Sequence, residues 1–400
     1  MATRRDALAA RREALGYTQE GLAQELGVEL STIGRWERGT LTPQPWRRTV
    51  LARVLGVSLQ ELNELLTPAS EQPALATEVD REFVSPRCPP ASTAAALPVG
   101  SLDHLDELLV HLREQWHTLV RADNLLGPRF ALAGVLDQIS IIEELLPRCT
   151  GSPRVELVKL AATYAESAAW LHEDAAQMPA AAFWVGRAME WAHEAGDELM
   201  LAWTLFRRSQ QAAAARDPQR TISLAQAAGR REDLLPNPMR AAIAQQEAHG
   251  YALAGEETLS HRTLDAAHRW AALDSAGDAR AGHGSFCTET YLELQRAHCW
   301  AALGKPDRAV KLYEAVLPAL PPVYRRDRGT AGSRFAQAQV SAGQFEAAAS
   351  TAREALTIAR SAGSVRTEHE VVFVGQRLQK HRALEPVREL LREISNSPAA

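Results

Sequence analysis

The chain has 400 residues, 46% of them apolar and 23% charged, with a net charge of −5, which excludes a disordered or collagenous chain and fits a globular protein of two or three domains. No run approaches the roughly 18 apolar residues of a membrane span, the N-terminal MATRRDALAARREALG lacks the apolar core of a secretory signal, and the negative balance excludes a generic polyanion binder, so charge is read locally. Cys88, Cys149, Cys287 and Cys299 are scattered without a CxxC pair, which excludes a disulfide framework or zinc knuckle and fits a reducing cytosol.

Over residues 1–66, apolar residues recur at helical spacing in five short blocks. They are Leu8 and Leu15; Leu22 and Leu26; Ile33 and Trp36; Val50, Leu51, Val54 and Leu55; and Leu59, Leu62 and Leu65. Gly16 ends the first block. Thr18 caps the second and Gly27 ends it, while Ser31 caps the third and Gly39 ends it. Pro43 and Pro45 precede the fourth, and Ser58 caps the fifth. Five helices joined by short turns predict a compact all-α domain.

The segment TQEGLAQELGVELSTIGRWERG, residues 18–39, places two short helices on either side of Gly27, the spacing of a helix-turn-helix. Leu22, Ala23, Leu26, Val28, Ile33 and Trp36 fall at its internal contacts, while Ser31, Thr32 and Arg35 project outward. Arg38, Arg47 and Arg48 lie at the exit from the second helix and the start of the next, suited to phosphates. An arginine bidentate to guanine contributes roughly 1–3 kcal/mol of base discrimination. Residues 1–66 hold nine arginines, no lysine and eight acidic residues. So small an excess gives one head weak phosphate attraction, and useful affinity needs two heads on half-sites roughly 34 Å apart.

This segment resembles the Cro/repressor-like DNA-binding domain of the xenobiotic-response-element type. Arg12 stands four residues before Gly16, followed by TQ-x-x-LA-x-x-LG and S-x-I-x-x-WE-x-G. The resemblance implies a homodimer reading the major groove of double-stranded DNA, with a palindromic operator. In that pattern Gln19 reaches a phosphate, Ser31 and Arg35 face base edges, and Glu37 pairs internally with Arg12. Leu30 stands where many members carry a polar base-reader and suits a thymine methyl.

Residues 67–100 contain six prolines and little periodicity, which predicts a semi-flexible linker. Residues 101–400 are helical in pattern throughout, with helix–turn–helix units recurring every 35 to 50 residues or so. Compare residues 170–197, 250–272, 299–322 and 339–363, each with a turn carrying Gly or Asp and small residues such as Ala181, Ala188, Ala309 and Ala348. These units resemble the tetratricopeptide repeat, with Gly304, Ala309, Tyr313 and Pro321 at the family's offsets in the clearest copy. Stacked pairs of this kind curve into a groove lined by the first helix of each pair. Placing the copies in register turns Glu166, Trp170, Arg207, Gln211, Gln245, His249, Tyr291, His298 and Gln337 toward that groove. Such a surface suits an extended peptide, a small molecule or a protein segment. The stripe Phe183, Trp184 and Trp191 reads as packing between helices.

No pattern supports catalysis, a cofactor or a bound metal. His193 and Glu194 lack the second histidine of a zincin helix, and the glycine-rich residues 275–286 lack the Lys–Ser/Thr and preceding strand of a phosphate loop. The whole arrangement is similar to the bacterial regulators that join a helix-turn-helix head to tetratricopeptide repeats. It implies a cytoplasmic, nucleoid-associated, non-enzymatic transcriptional regulator whose repeats bind a signal and modulate DNA binding. The alternative is a repeat scaffold in which the head serves as a tether or a protein-contact module.

Overall fold

The computed structural model describes residues 5–26, 28, 30–41, 43, 48, 51–52, 54–57, 59–66, 104–273, 283–321 and 324–396. Every regular element among them is helical. The chain divides into two compact units, Met1–Glu82 and Phe83–Ala400. The proline-rich stretch 67–100 lies outside the described residues, as do Gly27, Trp46 and Ser58.

The first unit contains α1 (Asp6–Ala14), α2 (Gln19–Glu25), α3 (Leu30–Glu37) and α4 (Leu59–Leu66). Residues 48, 51, 52 and 54, in the block between α3 and α4, are also helical. Thr18 caps α2 as its position predicts, its Oγ1 accepting from the Gly21 N–H at 3.0 Å. Helix α3 already includes Leu30, so Ser31 sits inside its first turn and turns its side chain outward. Leu8, Leu22, Ala23, Ile33, Trp36, Leu51, Ala52, Leu55, Leu62 and Leu66 form one buried core. Sinking a side chain of the size of Ile33 contributes about 1.5–3 kcal/mol.

The second unit begins with α5 (Leu105–Leu126) and α6 (Pro128–Leu145). Six antiparallel pairs follow: α7 (Gly151–Asp174) with α8 (Met178–Glu194), α9 (Glu198–Ala214) with α10 (Pro218–Ala228), α11 (Asn237–Leu253) with α12 (Glu257–Ala272), α13 (Glu289–Ala302) with α14 (Pro306–Val316), α15 (Arg325–Ser341) with α16 (Phe345–Ala362), and α17 (Val365–Leu378) with α18 (Glu385–Ser395). Ala181, Ala188, Ala309 and Ala348 are each fully buried, which lets the paired backbones approach closely. Trp184 and Trp191 are buried in the same core and Phe183 packs against it, so that aromatic stripe is packing.

Each first helix touches the next first helix, in the order α7, α9, α11, α13, α15, α17, and α17 touches α7 again. The stack therefore closes on itself, and the six first helices enclose a shared inner face. The turn between α5 and α6 meets the turn between α16 and α17. A Cβ on Gly127, whose φ is +90°, would lie 2.5 Å from the Ala362 carbonyl oxygen. Only glycine permits that approach. Helix α5 is anchored to α7 by two long-range bonds, Trp116 Nε1 donating to Ser167 Oγ at 2.9 Å and Tyr164 OH donating to the Leu112 carbonyl at 2.6 Å.

Candidate functional site

In the first unit, α3 has two faces. Ile33, Trp36 and Glu37 are buried, while Ser31, Arg35 and Arg38 are exposed and fall at i, i+4 and i+7, one stripe of the helix. Thr32 is half-buried beside that stripe. No hydrogen bond or ion pair among the described residues engages the Arg35 or Arg38 guanidinium. The inner face is fixed by an ion pair: Arg12 Nε donates to Glu37 Oε1 at 2.7 Å, with both residues 6% exposed. The hydrogen bond that Arg12 donates to Glu37 holds its guanidinium above its usual pKa. Arg12 Nη1 also donates to the Tyr17 carbonyl at 2.7 Å, and the Arg5 N–H donates to the Glu37 carbonyl at 2.7 Å. α1 and the end of α3 are thereby locked, which presents the outer stripe on a rigid support.

On the inner face of the second unit, the centre is Trp170 of α7. The guanidinium carbons of Arg207, Arg366 and Arg326 stand 4.9, 5.1 and 5.9 Å from its ring centroid. Each cation is met by carboxylates. Arg207 Nε donates to Glu166 Oε1 at 2.6 Å, and the same oxygen accepts from Trp203 Nε1 at 2.9 Å. Arg326 forms a fork on Asp123 of α5, at 2.7 and 2.8 Å, and its Nε lies 3.1 Å from Asp174. Arg366 reaches Glu173 and Asp174, each at 3.4 Å. Ser364 Oγ donates to Asp174 Oδ1 at 2.7 Å. The contacts of Arg326 with Asp123, of Arg366 with Glu173 and Asp174, and of Ser364 with Asp174 join residues 190 or more apart, and together with Arg326–Asp174 they hold α15 and α17 against α5 and α7. Farther along the face, the rings of His249 (α11) and His298 (α13) lie 4.6 Å apart. Burial, then Arg334 and Arg216, pushes His249 down to about 3. Burial first, followed by Arg334, His249 and Arg216, holds His298 well below its ordinary value.

Residues 8–62 match the family described as helix-turn-helix. Over 51 residues, 13% of this chain and 74% of the relative, the chain is 43% identical to the uncharacterized HTH-type transcriptional regulator YazB of Bacillus subtilis (strain 168). The chain belongs to the HTH-type transcriptional regulators. In this regulator the helix-turn-helix unit is α2 and α3, with α3 in the position of the recognition helix. A solved structure, a Rap protein complexed with competence and sporulation factor, is also similar to the chain. It is 11% identical, with a TM-score of 0.47 covering 98% of this chain and 97% of that one.

The regulator's sequence-predicted DNA residues fall as follows. Ser31, Arg35 and Arg38 share the outer stripe and Thr32 borders it. Gln19 donates from Nε2 to Glu37 Oε2 at 2.5 Å, so one of its two amide hydrogens is committed inward. Arg48 is half-buried and its Nε donates to the Pro43 carbonyl at 3.0 Å. Arg47 lies outside the described residues.

Of the nine groove residues, Trp170 and Arg207 meet in the arginine–tryptophan cluster, and His249 and His298 meet each other. Glu166 and Gln245 are 5% and 2% exposed and serve as wall supports instead of free side chains. Tyr291 is half-buried, edge-on to Phe286 at 5.1 Å. Gln211 is half-buried with its Nε2 unpartnered. Gln337 is half-buried, and its carbonyl accepts from Ser341 Oγ at 3.0 Å. Sequence reasoning missed Asp123, Asp174, Arg326, Arg334 and Arg366. Asp174, Arg326, Arg334 and Arg366 carry no local signal beyond their place on first helices, and Asp123 on α5 carries none, because ring closure is what brings Asp123 and Asp174 to Arg326 and Arg366. Among the described residues no cluster of His, Cys, Asp or Glu is arranged to hold a metal, and no helix is long and apolar enough to cross a membrane.

Proposed function

We propose that this chain is a sequence-reading transcriptional regulator that works in the cytoplasm as a homodimer, and that the inner face of its repeats binds a signal that modulates DNA binding. The reading is carried by the outer stripe of α3, where the Arg35 and Arg38 guanidiniums are exposed and unengaged on a helix whose other face is locked by Arg12 and Glu37. In the groove of a duplex, Arg35 meets a base edge, Arg38 and Arg48 meet phosphates, and Ser31 and Thr32 supply short-range contacts. The match to HTH-type regulators supports the same role for this unit.

The repeats contribute control in this reading. Helix α5 follows the segment that leads out of the first unit, and its Asp123 is held by Arg326 of α15. An occupant that prefers the closed arrangement over an open one changes the position of α5 and with it the pairing of two heads. Coupling of about 1–3 kcal/mol suffices for a useful switch, provided the occupant distinguishes the two arrangements. No residue is assigned a catalytic role. The test is Arg35→Ala in the full chain, assayed on duplexes enriched by selection from a random pool. Discrimination between enriched and random duplex should fall by about 1–3 kcal/mol. Undiminished discrimination, or a pool that never enriches at low salt, removes the regulator reading in favour of a repeat scaffold.

A further inference from the structure

The inner face carries two kinds of cation. Arg207, Arg326 and Arg366 each stand within ion-pair distance of a carboxylate. Arg334, half-buried on α15, does not, and no hydrogen bond or ion pair among the described residues engages it. Its charge acts instead on the His249 and His298 rings, which lie side by side at 4.6 Å, and the charge of Arg216 acts on the same two rings. Two carboxylates, Asp327 and Glu370, bear on the same region. Asp327 lies among Arg366, Arg326 and Arg334 with Asp174 nearby, and its pKa is raised by burial. Glu370 accepts from Ser333 Oγ. Neither is within ion-pair distance of Arg334. Tyr291 feels Asp327 and Arg334 together, and Tyr313 feels Arg334 and Glu370.

Arg216 adds a second, independent observation. It occupies the αL turn between α9 and α10 at φ +55°, where the corresponding turns of other pairs carry Ala176, Gly255, Gly304 and Gly343. A side chain is strained there, and strain of this kind collects at functional sites. On the same helix end, Gln211 Nε2 is buried without an acceptor. The charges of half-buried Arg334 and exposed Arg216 thus fall on one pair of half-buried imidazoles, and among the described residues no carboxylate stands within ion-pair distance of either arginine, an arrangement that an anion relieves.

We propose that Arg334, Arg216, His249 and His298 form an anion site that takes an oxyanion group, carboxylate or phosphate, of the molecule bound on the inner face. The proposal rests on the reading above only in supposing that this face is occupied. Both imidazoles gain affinity for a proton beside the anion, so binding tightens as pH falls.

The test is a titration of the full chain with inorganic phosphate and, separately, with acetate, following the ring resonances of His249 and His298. Either anion should shift both rings and raise their pKa. Arg334→Gln should weaken binding about tenfold or more, whereas Arg353→Gln, on an outer helix, should leave it unchanged. Arg216→Gly should raise the unliganded melting temperature while weakening the anion response, and it carries the test if Arg334→Gln fails to fold. A response to phosphate alone supports the site and selects a phosphorylated ligand; a response to both supports it and admits a carboxylate such as a peptide C-terminus. Rings that ignore both anions at tens of millimolar, or that respond equally in Arg334→Gln, overturn it. Duplex binding is measured on the same samples. Its loss with the rings still responsive sinks the regulator reading alone, and the reverse sinks the anion site alone.

Discussion

Replacing Arg326 by alanine should open the seam that joins α15 to α5. Its guanidinium makes two bonds to the Asp123 carboxylate, at 2.7 and 2.8 Å, and a third to the Asp123 carbonyl at 3.0 Å. Its Nε faces Asp174 at 3.1 Å. The three side chains are 14%, 9% and 0% exposed, so solvent screens them little. Truncation therefore leaves two buried carboxylates short of a cation. Removing one partner of a buried pair costs about 3–5 kcal/mol. Helical repeats lose stability near the lesion, because each pair leans only on its neighbours. The loss should appear as faster amide exchange in the last turns of α5 and the first turns of α15 and α17, together with a lower denaturation midpoint. The double variant Arg326→Met with Asp123→Leu should recover much of the loss, since an apolar pair of similar volume replaces a buried ion pair at little cost and Arg366 still faces Asp174. If Arg326→Ala costs less than about 1 kcal/mol, the level of an exposed pair, and exchange at α5 is unchanged, these ions do not hold the seam and the reasoning fails.

Three further outcomes follow from the same geometry. Because the His249 pKa is depressed to about 3 in the folded chain, the unfolded chain binds protons that the native ring refuses between about pH 6.5 and that value. Stability should therefore fall as pH drops through this window, by up to about 1.4 kcal/mol per pH unit for each such ring, and His249→Gln should flatten the slope in thermal melts; a slope identical to that of the parent chain contradicts the assignment. Glu37→Ala strands the buried Arg12 and frees Gln19, and should destabilise the first unit by about 3–5 kcal/mol, read from Trp36 fluorescence in denaturant, with Glu37→Gln less harmful. Ala176 sits in αL at φ +59°, so Ala176→Gly should stabilise the repeats by about 0.5–1 kcal/mol once the extra freedom of unfolded glycine is offset against the strain relieved; a drop in the melting temperature would show that no strain resides there.

Much of the first unit was legible because its determinants are local. The Thr18 cap, the spacing of Leu22, Ile33 and Trp36, and the outward rotation of Arg35 depend on residues within one or two helical turns, and the structure places each accordingly. Helix α3 begins at Leu30, one residue before the serine that the sequence pattern marks, and a serine near a helix start fits that pattern in either place. In the repeats, the turns near Gly304 and Gly343 and the buried alanines were equally local. The groove residues divided differently. His249 and His298 lie on neighbouring first helices, so register alone brought them to one face. Glu166 and Gln245 fell on the same stripe, yet packing turned them into supports.

By itself the sequence determined the helices, their caps, the small residues that let them pair, and the two-faced α3, because hydrophobic period and turn chemistry act over a few residues. Only the tertiary structure decided that α17 returns to α7, that Arg326 meets Asp123 across 203 positions, and that Arg334 is left without an ion pair while its fellow arginines on the inner face are neutralised. Small rotations from one pair to the next accumulate along a stack, and their sum, which no local stretch encodes, fixes which charges end up opposite one another.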